Sequence, residues 1–325
     1  MPRTLVHALA ALLLAAHAAA GAAQQRLVFA TDWLAQAEHG GYYQAVAEGT
    51  YRKHGLDVTI RMGGPQVNGL QLLAAGQLDV AMADGLQVLS AIEQDVPLVA
   101  IAATFQKNPT VVIAHPGVRQ LADLKGRPIA IAAAANTTFW PWLKGRYGFT
   151  DDQKRPYGFS VQPFLADRTL SQQGFATSEP YSIEKAGVRP VVFLLADLGY
   201  PPYSEVLAVR RDALGPRADA LQRFVRASAE GWKSYLANPA PGNALIRKDN
   251  PQMSDDRIAH AIGLLKSTGM VMGGDAAKLG IGVIADERMK KTYDMLVAQK
   301  LLDAKRVELS KTYTTRFVRD LRVMP

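Results

Sequence analysis

The residues best suited to chemistry sit in four short loops. TDWLAQAEHGG, residues 31–41, follows a β-prone run and carries Trp33, Glu38 and His39 beside Gly40 and Gly41. An indole offers a flat, polarizable face to an aromatic guest, the carboxylate and imidazole offer polar edges, and paired glycines permit close backbone approach. Core packing explains Trp33 as well, and a lone histidine such as His39 is more often a structural or capping residue. GGPQVN, residues 63–68, sets Gln66 and Asn68 at a Pro-containing helix start, where a plain turn and cap is the alternative. Asp84 follows an apolar strand and could accept a hydrogen bond from a ligand or cap the next helix.

The other nominees come from later in the chain. AAANTTFW, residues 133–140, places Asn136, Thr137 and Thr138 at a helix start suited to capturing an anion or heteroatom, with Phe139 beside them. TSEPY, residues 177–181, holds Glu179 between Pro180 and Tyr181. A carboxylate in a partly aromatic loop can recognise an exocyclic amino group, although a solvated glutamate is the commoner use.

Enzyme signatures are absent from the sequence. It has no nucleophile elbow, Walker loop, dinucleotide fingerprint or HExxH, and its six histidines are scattered without metal-ligand spacing. Cysteine is missing altogether, which removes disulfides, thiolate nucleophiles and thiolate metal sites. No catalytic residue, metal or cofactor is therefore expected. The net charge of +8 is spread along the chain and lacks the clustered, aromatic-interleaved stripe that nucleic acid requires.

These loops need elements to position them. Arg26 to Ala30 reads as a strand, Tyr42 to His54 as a helix stopped at Gly55, and Leu56 to Ile60 as an alternating strand. A helix with Leu70 and Leu73, a stop at Gly76 and a strand over residues 78–82 continue a βαβαβ pattern, which predicts a parallel sheet covered by helices. A second unit repeats the logic with a strand at 128–132, a helix at 136–147 and a strand at 158–164. β-rich passages at 99–114 and 191–209 suit two crossings between lobes. After Pro216 the chain reads as helices, notably residues 218–236 and 288–299, expected to pack on the first lobe. At 325 residues the chain fits two domains better than one.

Residues 1–23 combine Arg3, an apolar run and a small-residue stretch, the signature of a cleaved secretory signal. With no lipid-attachment cysteine, a Gram-negative periplasm is the expected compartment. The expected division is 24–113 with 206–325 as one lobe and 114–205 as the other.

TDWLAQAEHGGYYQAVAEGTYRKHGLDVTI followed by LLAAGQLDVAMAD resembles the SsuA/THI5-like, or NMT1-like, family of ABC transporter solute-binding proteins, and the likeness continues through LADLKGRPIAI to TSEPY. The resemblance implies a type II periplasmic-binding-protein fold: two α/β lobes, joined by a two-crossing hinge, closing over a ligand. It implies a monomer serving a permease and ATPase at the inner membrane. The DWxxxxxHGG spacing looks most like binders of thiamine pyrimidine precursors, which would carry over Trp33, His39 and Glu179, with Tyr181 and Phe139 as second aromatic faces. Binders of sulfonate, taurine, nitrate and riboflavin share the fold, so a small anion is the alternative ligand. A sensory ectodomain or a thiamine-pyrimidine synthase-like enzyme is the alternative of another class. The lysine and histidine of those synthases fall on Ala83 and Gln87, and their cysteine-rich motif has no counterpart.

Overall fold

The computed structural model describes residues 24–64 and 67–325, so the expected signal segment and Gln66 lie outside the described residues. Among the described residues, ten strands form two five-stranded sheets. The first contains β1 (Gln25–Ala30), β2 (Leu56–Arg61), β3 (Val80–Ala83), β4 (Leu98–Phe105) and β10 (Ser204–Arg210), in the order β2-β1-β3-β10-β4. The second contains β5 (Thr110–Ala114), β6 (Ile129–Ile131), β7 (Lys154–Pro156), β8 (Ser171–Phe175) and β9 (Val191–Leu194), in the order β7-β6-β8-β5-β9. With helices packed around them, these are the two α/β lobes of the periplasmic-binding-protein fold.

The chain passes between sheets twice, through residues 106–109 and 195–203. Thr110 to Ile113, assigned to the first unit on sequence, pair with β8 and β9 of the second sheet. Ser204 and Glu205, assigned to the second unit, begin β10 of the first. The sheets are mixed rather than parallel. β10 runs antiparallel to β3 and β4, and β5 antiparallel to β8 and β9, because these strands adjoin the crossings and enter their sheets from the opposite end. Hydropathy patterning carries no signal of strand direction.

Helix Ala218–Ala237 packs across one face of the first sheet, where Phe29, Tyr42, Tyr51, Phe224 and Trp232 interlock. Tyr51 stacks on Phe224 at 5.4 Å and 6°. This close seat depends on two glycines. A Cβ at Gly40 would lie 2.0 Å from the Tyr235 ring and one at Gly41 2.2 Å from Trp232. The pair therefore admits aromatic side chains of a neighbouring helix rather than a ligand. Edge strand β4 is covered by the C-terminal segment, since Ala100 N–H donates to the Thr312 carbonyl and Thr314 N–H to that of Ala100, both at 2.9 Å, which blunts an otherwise open sheet edge.

Three sequence expectations change. The helix expected over 42–54 is two, Gly40–Ala47 and Thr50–Lys53, divided where Gly49 turns to φ +68°. The strand expected at 158–164 is a loop followed by helix Gln162–Ala166 with Pro163 in its first turn, where the missing N–H costs nothing. Helix Asp286–Ala298 does not pack on the first lobe alone: Met289 joins the core beneath the first sheet, and Leu296 the core around the second. No helix among the described residues is long and apolar enough to cross a membrane.

Candidate functional site

The loop after β1 is held by the Thr31 side chain. Thr31 Oγ1 donates to the Trp33 carbonyl at 2.7 Å and accepts from Gly63 N–H at 3.2 Å. A Cβ at Gly63 would stand 2.5 Å from the Asp32 carbonyl carbon, so only glycine fits there. The half-buried Trp33 leaves this loop to meet Phe159, which projects from the loop after β7; the ring centroids are 4.9 Å apart and the planes 36° from parallel. Tyr157 lies 5.3 Å from Phe159 on the same side. An aromatic pair thus bridges the space between the sheets, within the range of favourable ring geometry.

Asp32, next to Trp33 in the chain, belongs to a set of neighbouring carboxylates with Glu38, Asp84 and Glu205. Glu38 is 4% exposed and accepts a short hydrogen bond from Thr177 Oγ1, which follows β8 of the second sheet. His39 is fully buried, its Nε2 3.0 Å from Asp32 Oδ1. Asp84 caps helix Gly85–Glu93 by accepting from Leu86 N–H at 2.8 Å, and Asn108 Nδ2 stands 3.4 Å from its other oxygen. Burial pushes the Asp84 carboxyl up to about 6. Glu205, the second residue of β10, has φ +54°, in the left-handed region, and is 3% exposed. Burial first, then the neighbouring charges of Asp32, Glu38 and Asp84, hold its carboxyl well above the usual range.

Glu179 is the first residue of helix Glu179–Lys185. It accepts from Tyr157 Oη at 2.8 Å and from Phe175 N–H at 2.7 Å, and burial raises its carboxyl above the ordinary value. These bonds fix the tyrosine beside Phe159, so Glu179 organises the aromatic side of the cleft from within.

The remaining nominees have local partners. Asn68 is exposed and caps helix Gly69–Ala74 by accepting from Gln71 N–H. Asn136 is exposed, donates to the Ala133 carbonyl and accepts from Lys154 Nζ. It lies with the exposed Thr137 in a 3-10 turn, Ala133–Thr137, ahead of helix Phe139–Tyr147 rather than at the start of one long helix. Phe139, nominated as an aromatic face, packs instead in the second sheet's core with Trp140, Trp142 and Leu143. Tyr181 lies half-buried with its ring 4.8 Å from that of His260. Sequence reasoning missed Tyr157, Phe159 and Glu205. Glu205 had one usable signal, an acid interrupting the apolar strand SEVLAVR.

The arrangement suits a flat molecule clasped by rings, with hydrogen-bond donors or positive charge directed at the carboxylates. Comparison with known proteins finds binding proteins and, at 22% identity, a 4-amino-5-hydroxymethyl-2-methylpyrimidine phosphate synthase of Aspergillus parasiticus. The family model described as NMT1/THI5 like matches residues 36–241. The riboflavin-binding protein RibY of Chloroflexus aurantiacus is 25% identical over 306 residues, covering 90% of this chain and 86% of that one. A formylaminopyrimidine-binding protein of Halalkalibacterium halodurans is 24% identical, over 64% of this chain and 66% of its own. Among solved structures, the periplasmic aliphatic sulphonate binding protein SsuA from Escherichia coli aligns with a TM-score of 0.64 at 15% identity, covering 88% of this chain and 91% of that one.

Proposed function

Because the chain belongs to the NMT1/THI5-like family, we propose that it is a periplasmic solute-binding protein of an ABC importer. It captures a flat, nitrogen-bearing heteroaromatic nutrient, of which a thiamine pyrimidine precursor is an example, and delivers it as a monomer to a membrane permease and its ATPase. In this account the lobes are the two sheets with their helices, and the crossings at 106–109 and 195–203 are the hinge. The observation that carries it is the Trp33–Phe159 pair, from loops that follow strands of opposite sheets, together with the buried Glu38 and Glu205. A guest ring between them would part the rings by about one ring thickness, ~3.5 Å.

The carboxyls favour an amine-bearing or protonated ligand over an anion, because a positive guest would relieve the burial and like-charge repulsion that raise Glu205 and Asp84, whereas an anion would add to them. Binding without turnover is the reading favoured by the binding-protein relatives, and on the family resemblance Ala83 and Gln87 stand where the synthases would need lysine and histidine.

Calorimetry with an aminopyrimidine, a flavin and an alkanesulfonate tests the proposal. One heterocycle should bind with Kd between roughly micromolar and nanomolar, and Trp33→Ala should weaken it about tenfold or more. Tightest binding by the sulfonate, unchanged affinity in Trp33→Ala, or a converted product after incubation would each overturn it.

A further inference from the structure

We propose that Asp32, His39 and Glu205 form a divalent transition-metal site, of the kind that takes Zn2+, between the loop after β1 and the start of β10. One ligand atom from each side chain can be chosen so that all three lie within 4.8 Å of one another. His39 Nε2 and Asp32 Oδ1 are already 3.0 Å apart. In a tetrahedral site with metal–ligand bonds of about 2.0–2.2 Å, neighbouring ligand atoms sit roughly 3.4 Å apart. Two of the three thus have coordination spacing, and a small closure by Glu205 completes the set.

Glu205 supplies the independent sign of a missing occupant. It is 3% exposed, and its Oε2 has no hydrogen-bond partner among the described residues. A buried carboxylate oxygen without a donor is costly. Neither Glu205 nor Asp32 has an ion pair with a lysine or arginine among the described residues; Asp32 pairs only with His39. The neighbouring acids are otherwise engaged, Glu38 by Thr177 and Asp84 by Leu86 N–H. That leaves this trio to share a cation.

The donor set selects the ion class. An imidazole with two carboxylates suits Zn2+ and its transition-metal neighbours, whereas Ca2+ and Mg2+ prefer six or more oxygens. Three protein ligands leave a fourth position, which water or a heterocycle nitrogen entering the cleft would take. Asp32 and His39 are seven residues apart and Glu205 comes from a distant strand, so no sequence motif announces the site.

The test is titration of the EDTA-stripped protein with ZnCl2 in a calorimeter, without organic ligand, so it can fail or succeed independently of the heteroaromatic proposal. One ion per chain should bind with Kd on the order of micromolar or tighter. Glu205→Gln and His39→Ala should each weaken it roughly tenfold or more, and His54→Ala, which removes a half-buried histidine paired with Glu230, should not. Zinc-edge anomalous diffraction from the wild-type protein should place the ion among the three side chains, which decides the matter even if a variant fails to fold. No binding, an ion located elsewhere, or a folded Glu205→Gln that binds as wild type would overturn the site.

Discussion

Trp33 and Phe159 lie in loops that follow strands of opposite sheets and have ring centroids 4.9 Å apart, with Phe159 half exposed and held at φ +58°. A non-glycine residue at positive φ is strained, and such strain is tolerated where the surroundings or a function require it. Here it turns the ring toward the indole rather than into the second core.

Phe159→Ala should therefore weaken heterocycle capture with little effect on folding. Roughly 1–2 kcal/mol of binding, or about tenfold, is expected from losing one stacking face. Thermal stability without ligand should change little, because the side chain is 51% exposed. Calorimetry and a melting curve on one preparation separate the two effects.

Asp84 gives a pH prediction. Its carboxyl sits near 6 in the folded protein, above the ordinary aspartate value, chiefly from burial, with Asp32 adding to the rise. Tyr200 and Glu205 feel its charge in turn. The protonated form is the one favoured by folding, so this contribution is complete below about pH 4 and is lost as pH rises through about 6. Asp84→Asn, which can still cap the helix, should raise stability at pH 7 by on the order of 2 kcal/mol and flatten the slope between those limits. Urea denaturation of metal-free protein across that range checks it; an unchanged slope would contradict it.

Arg288 ties the two crossings together. It donates to the carbonyls of Pro201 at 2.8 Å and Pro202 at 3.2 Å and to that of Gln106, while its guanidinium lies 4.0 Å over Tyr203. Residues 106 and 201–202 lie on different crossings, so one side chain fixes the hinge. Arg288→Ala should cost about 2–4 kcal/mol by stranding those carbonyls. Arg288→Lys should recover only part, because an ammonium cannot reproduce the planar fork.

Gly41→Ala tests the packing role given to the glycine pair. With Trp232 2.2 Å from the added Cβ, overpacking should cost at least about 1–3 kcal/mol, seen as a lower urea midpoint. A neutral effect would mean that helix Ala218–Ala237 can shift freely.

Much of the scaffold was legible because it rests on local rules. Alternation gave β2, the stops at Gly55 and Gly76 coincide with left-handed φ of +70° and +73°, and the loop after β1 was nominated for its Trp33, Glu38 and His39. The rest depends on long-range contacts. Phe159 was hidden because residues 158–164 read as a strand, whereas the chain forms a loop there followed by helix Gln162–Ala166. Glu205 belongs with Asp32 through the pairing of β10 with β3, beside β1, and no local pattern encodes that neighbour. Gly40 and Gly41 read equally well as ligand approach or helix packing until the partner helix is seen.

The most direct measurement is a crystal structure of the protein with the heterocycle that raises its melting temperature most. The account requires the guest ring between Trp33 and Phe159, the two side chains parted, and at least one donor directed at Glu38, Asp84 or Glu205. A guest bound elsewhere, with the Trp33–Phe159 pair still in contact, would contradict it.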